Sequence, residues 1–199
     1  MDLIGFLFRW SHVLFGITWI GMLYYFNFIQ GGYFKQASAE GLADAKAKLA
    51  PSALWWFRWG AMGTFITGLA LLGKLAIGLN NYIIVGAIFG TIMFLNVWLI
   101  IWPNQKIALG MAEGDAPAAG AKALLASRHN VLYSAPMAFC MLASGHPDPS
   151  LGWNLYSSMS NSLIVMLVII AALQANAMFG KQGPLTTVKG VIHASLGLT

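Results

Sequence analysis

The chain has 199 residues, of which 58% are hydrophobic and only 9% charged, with a formal net charge of +5. Water-soluble domains carry about a quarter charged residues, so a soluble fold could not cover its surface with so few. The basic residues sit in loops flanking apolar segments, where they report membrane topology rather than a nucleic-acid footprint, and the sequence specifies an all-α integral membrane protein.

Five segments are long and apolar enough to read as spans of about 20 residues each. They are expected to pack as one transmembrane domain over residues 1–183, followed by a tail at 184–199. The first span, Leu3 to Gln30, is interrupted only by Arg9 and His12. It lacks the basic start and small-residue cleavage site of a signal peptide, so it reads as a span that stays. The second, Ser52 to Ile77, opens on Trp55, Trp56, Phe57, Arg58 and Trp59. Amphipathic rings beside a cation are suited to headgroup depth. The third, Tyr82 to Trp102, is expected to end at Pro103. The fourth, His129 to Gly145, is the least apolar and holds Pro136. That proline frees backbone carbonyls which must find donors elsewhere. The fifth runs from Tyr156 to Phe179.

The polar segments 31–51 and 103–127 are expected as loops, the second with a surface helix, and the tail is expected on the membrane surface. The segments 31–51 and 103–128 and the chain after the fifth span hold Lys35, Lys46, Lys48, Lys106, Lys122, Arg128, Lys181 and Lys189, against Lys74 and Arg9 on the other side. The positive-inside rule then places the N-terminus outside and the C-terminus in the cytoplasm.

Small residues mark faces of close approach. Gly86 and Gly90 form a GxxxG in span three, and span two carries Gly60, Gly63 and Gly68. Such glycines let helices pack in lipid; the other use is room for a flat cofactor.

Intramembrane ionisable groups are costly and point to function. His12 is the leading candidate, with Gly16 one turn on and Trp19 two turns on. A histidine nitrogen is a common axial ligand to haem iron, and the glycine would leave space for a porphyrin. The other reading is a histidine hydrogen-bonded to a neighbouring helix. His129 and His146 bracket span four at about 25 Å along a helix and about 100° apart around it, so the two cannot readily share one iron. Depth favours His12 with His146, both near the outer side. His193 in the tail has no assigned role. Arg9, one turn before His12, could hold a haem propionate or snorkel to the headgroups; Arg58 has the same two readings. Asn27, Gln30, Asn96, Asn161, Gln174 and Asn176 are expected as interhelical hydrogen-bond partners. The single cysteine, Cys140, excludes an intrachain disulfide. No CxxC or CxxCH, paired intramembrane carboxylates, phosphate loop or nucleophile–base motif occurs.

Several motifs together carry a family likeness. Arg9-Trp10-Ser11-His12, Gly16-Ile17-Thr18-Trp19-Ile20-Gly21 and Tyr24-Tyr25-Phe26-Asn27-Phe28 resemble the opening of the membrane-bound urate oxidase N-terminal domain. Trp56-Phe57-Arg58-Trp59 with Thr67-Gly68, and Asn96-Val97-Trp98 with Ile101-Trp102-Pro103-Asn104-Gln105-Lys106, are similar to its next segments. Arg128-His129-Asn130, Tyr133, Pro136, Met141 and Ser144-Gly145-His146-Pro147 resemble another. The order is kept over residues 9–147. The first span also resembles the haem-binding protoporphyrinogen oxidase membrane family.

The resemblance implies a bacterial inner-membrane protein linked to electron transfer. Fuller members continue into a cytochrome c domain, with urate the proposed substrate; this chain is expected to be a truncated member without that domain. The leading expectation is a membrane redox protein that binds b-type haem and exchanges electrons with a separate partner, a c-type cytochrome or a respiratory complex. The candidate residues are His12, His146, His129, Arg9 and Arg58, the histidines as iron ligands. The alternatives are a cofactor-free accessory subunit of a respiratory or oxidase complex, and a membrane oxidase acting on urate or a porphyrin.

Overall fold

The computed structural model describes residues 3–74, 79–146 and 161–199, and every regular element among them is a helix. Helix α1 spans Leu3–Gln36, and α2 is the short Ala39–Asp44. Then come α3, Ala50–Lys74, α4, Asn81–Ala108, and α5, Ala116–Ala143. Last are α6, Asn161–Phe179, and α7, Val188–Leu198. Of these, α1, α4 and α6 are long and apolar enough to cross a membrane. The 25 residues of α3 and 28 of α5 are about 37 and 42 Å long at helical rise. Composition rather than length therefore sets those two apart. The start of the fifth expected span and the end of the second fall outside the described residues.

Side-chain caps fix the helix starts. Asn80 Oδ1 accepts from Ile83 N at 3.0 Å, Asp115 Oδ1 from Ala118 N at 3.0 Å, and Thr187 Oγ1 from Gly190 N at 2.9 Å. Each occupies one backbone N–H that the first helical turn leaves open. The reversal between α4 and α5 uses Gly110 (φ 73°) and Gly114 (φ 146°), a region that side chains rarely enter.

The long helices alternate in direction. Gly60 lies against Trp19 and Gly68 against His12, so α1 and α3 are antiparallel. Gly86 meets Met141, while Asn96 meets Asn130, so α4 and α5 are antiparallel too. Pairing of His129 with Asn176 and of Tyr133 with Gln174 sets α6 antiparallel to α5.

The glycines serve close packing. A Cβ on Gly60 would come 3.1 Å from Trp19 N, and one on Gly63 2.5 Å from the Phe15 ring. A Cβ on Gly86 would come 3.0 Å from Met141 Cγ, and one on Gly90 3.4 Å from Met141 Cε. Backbones so close gain dispersion contacts, the main attraction available between helices in lipid. Gly16 differs: nothing lies within 4 Å of its Cβ position.

Three sequence expectations change. Helix α4 does not stop at Pro103 but continues to Ala108. A π-helical stretch, Asn96–Ile101, lies just upstream, and such a local change of hydrogen-bond register accommodates the missing proline N–H. A similar stretch, Tyr25–Gln30, lets α1 run on to Gln36. The segment 103–127, expected as a loop with a surface helix, does hold a helix, but one continuous with α5. Its second half forms the first three turns of α5, where Ala119, Ala123, Ala126 and Ser127 are buried. Alanine allows that approach much as glycine does.

The tail forms a helix, α7. Helix α7 packs on α5 with Val191 and Ser195 buried. Its Ser195 hydroxyl lies 2.9 Å from Leu132 O and 3.1 Å from Val131 O. Leu132 is four residues before Pro136, which has no N–H to give it. The carbonyl freed by the proline is thus satisfied from the tail.

Candidate functional site

His12 stands on α1 against the face of α3 made by Thr64, Thr67 and Gly68. Its Nδ1 lies 2.9 Å from the Thr64 carbonyl oxygen and 3.1 Å from Thr67 Oγ1. A carbonyl can only accept, so Nδ1 carries the proton. Thr67 in turn donates its hydroxyl to Gly63 O at 2.6 Å, which leaves its lone pairs toward the imidazole. Gly68 makes room for the ring, since a Cβ there would stand 3.1 Å from His12 Cε1. The remaining nitrogen, Nε2, has no hydrogen-bond partner among the described residues. A histidine that donates one N–H to a carbonyl and presents the other nitrogen bare has the form of a metal-ligating imidazole. One turn on, Gly16 leaves open space. Arg9, one turn before, is exposed.

His146 follows the end of α5, at the same end of the bundle as His12. That end gathers the start of α1, the close of α3 and the start of α4, the last tied to α5 by Asn80 Nδ2 donating to Ser144 O at 3.2 Å. His146 is exposed and donates Nδ1 to Leu142 O at 2.9 Å. Its Nε2 is likewise without a described partner.

His129 is in a different condition. It is fully buried. Its Nδ1 donates to Leu125 O at 2.9 Å and its Nε2 accepts from Asn176 Nδ2, also at 2.9 Å. Both nitrogens are engaged, and the ring joins α5 to α6. Asn176 extends the link to the following turn by donating to Lys181 O at 3.1 Å.

Beside His129 lies a buried polar core that no single motif announced. Asn96 donates to Asn130 Oδ1 at 2.9 Å and accepts from Gln174 Nε2 at 2.7 Å. Asn130 donates to Met93 O at 3.0 Å. Nearer α1, Asn27 donates to Ser127 Oγ at 2.7 Å, and the Tyr24 and Ser134 hydroxyls are 2.8 Å apart. Asn130, Ser127, Ser134, Thr64 and Thr67 were not singled out as polar partners from the sequence. Their signal was weak: each is a small polar residue within an otherwise apolar run.

Arg58 lies ten residues before Gly68 in α3, about 15 Å along the helix from the level of His12. Its guanidinium stacks on Trp102 at 3.4 Å from the ring centroid, a cation–π contact. The structure thus brings Arg9 and His12 onto one helix at one end, with His146 at that same end. It sets His129 and Arg58 at other levels. Among the described residues no group of three histidine, cysteine or acidic side chains could hold a bare metal ion.

These features define a helical bundle in which three helices are long and apolar enough to cross a membrane, with a buried polar core and one partly buried histidine whose second nitrogen has no partner among the described residues. The chain belongs to the urate oxidase N-terminal family, whose model matches residues 74–194. No curated protein and no solved structure matches it. The matched stretch takes in α4 to α6 and most of α7, and so includes the polar core, His129 and His146; His12 lies before it.

Proposed function

We propose that the protein is an integral membrane redox protein. In this reading it crosses the bilayer five times, binds b-type haem through His12 and exchanges electrons with a separate c-type cytochrome or respiratory complex. The state of His12 carries the reading: proton fixed on Nδ1 by the Thr64 carbonyl, Nε2 bare, and open space at Gly16 one turn away.

The outer faces of the helices support membrane insertion. Leu3 is 71% exposed, Ile17 65% and Val168 63%. Apolar surface of this extent is matched to lipid. Helices α3 and α5 are long enough to cross alongside the three more apolar ones, with the N-terminus outside and the C-terminus cytoplasmic by the loop charges.

Haem, when bound, supplies a one-electron couple tuned by its axial ligand and surroundings. The chain's own residues do the rest. Thr64 orients the imidazole and sets its tautomer, Gly68 admits the ring against α3, and Gly16 keeps one flank clear. Arg9 would pair with a propionate carboxylate, and His146 is the available second ligand. His129 is reserved for joining helices.

A reduced-minus-oxidised spectrum of the purified protein tests this. A Soret and α band are expected, and their absence from a folded sample would refute it. The second reading, a cofactor-free accessory subunit, draws on the glycine seams, which neighbouring side chains fill at Gly60, Gly63, Gly86 and Gly90. Copurification in a stable assembly without intrinsic haem would favour it.

A further inference from the structure

Far from His12, a cleft of about 460 Å³ opens at the other end of the bundle, between the close of α1, the close of α4 and the first turns of α5. Its volume lies within the range of about 300–1,000 Å³ typical of small-molecule sites. Phe26, Phe34, Leu109 and Leu124 give it apolar walls, while Gln30, Gln105 and Ser127 are its polar groups. No carboxylate lines it, and Lys46 is its one cation.

Two of the polar groups need a partner. The Gln30 Oε1 atom is buried and accepts no hydrogen bond. Ser127 is 8% exposed, and its Oγ accepts from Asn27 Nδ2 at 2.7 Å, so its hydroxyl proton remains to be given. An occupant with both kinds of group would pair them. Leu124 is a wall residue and itself 41% exposed, so apolar surface continues from the cleft onto the outside of α5.

We propose that this cleft binds the head group of a lipid-soluble quinone. The chemistry selects that class. A quinone accepts hydrogen bonds through its carbonyls, and its quinol donates through hydroxyls. The Ser127 hydroxyl and the amide Nε2 atoms of Gln30 and Gln105 are donors for the quinone carbonyls, and Gln30 Oε1 is an acceptor for a quinol hydroxyl. The two phenylalanines stand on one face of α1 at two-turn spacing and offer apolar surface to a flat ring. A phosphate or other compact anion would call for more cations than Lys46. A bare acyl chain would leave Gln30 and Ser127 unpaired. The site stands apart from His12 and goes beyond the haem reading, holding whether or not haem is bound.

The test is calorimetric titration of the full chain in lipid nanodiscs with a short-chain benzoquinone and, separately, its quinol. Saturable binding of both is expected. Gly120→Leu should weaken it about tenfold or more, equivalent to about 1.4 kcal/mol. A Cβ at Gly120 meets only Ala108 Cβ, at 3.8 Å, and both residues line the cleft. Ala108→Phe fills it from the opposite wall should the first variant fail to fold. Ser127→Ala should weaken binding about threefold or more. His12→Ala should leave quinone binding unchanged even if it abolishes the haem bands, which separates failure of one reading from failure of the other. No saturable binding, undiminished binding by a folded cleft-filling variant, or urate binding in the cleft in place of quinone would each overturn the proposal.

Discussion

The α1–α3 pair and the α4–α5–α6 core solve the same problem by opposite means. The pair packs on glycines, Gly60 and Gly63 beneath Trp19 and Phe15, and the polar group it holds, His12, keeps one nitrogen bare. The core packs on glycines only along Gly86 and Gly90. Deeper in, it is held by asparagine and glutamine side chains that use one another up. Polar groups that satisfy each other make architecture, whereas a group held in orientation with a free lone pair is available for chemistry. That contrast separates His12 from His129, which composition alone could not do.

The contrast can be broken at Gly63 first. Gly63→Leu would drive a side chain into the Phe15 ring, and a loss of about 3 kcal/mol or more is expected, within or beyond the usual overpacking range. Size-exclusion profile and melting temperature would report it. Gly16→Leu, on the open flank of the same pair, should leave the fold intact while lowering haem content. Equal damage from both would remove the distinction between packed and open glycines.

In the core, Asn130→Leu removes the donor to Met93 O and the acceptor for Asn96 at once. A cost of about 1–2 kcal/mol is expected, in keeping with interhelical hydrogen bonds in membranes, read from thermal unfolding in detergent. The smallest effect is at the tail. Ser195→Ala should cost about 1 kcal/mol. In a Pro136→Ala background, where residue 136 can donate to Leu132 O itself, that cost should shrink. A double-mutant cycle measures the difference; strictly additive costs would show that the serine does not serve the carbonyl freed by proline.

The length of the apolar runs made the helices legible, and spacing made the glycine faces legible. Pro136 announced a carbonyl in need of a donor, but nothing local named Ser195, 63 residues after Leu132. The packing of the tail helix was not legible because its buried face, Val191 and Ser195, is defined only by the partner it lies against. Residues 116–127 read as a surface helix within a polar loop because alanine and lysine dilute the apolar signal; the close fit of small side chains joins them to α5. At the candidate site, His12, His129 and His146 were visible as residues. Which nitrogens were already spent was not, because Thr64, Leu125 and Asn176 come from tertiary contact or helix geometry rather than motif.

His12 keeps a nitrogen open for a ligand bond, and His129 has both nitrogens engaged. Haem content per polypeptide, read from the reduced-minus-oxidised spectrum of wild type, His12→Ala and His129→Ala in the same detergent, tests it most directly. Stoichiometric haem is expected in wild type, with most of it lost in His12→Ala. His129→Ala should retain it with a lowered melting temperature. A folded wild type without Soret or α bands, or haem kept by His12→Ala and lost by His129→Ala, would contradict the account.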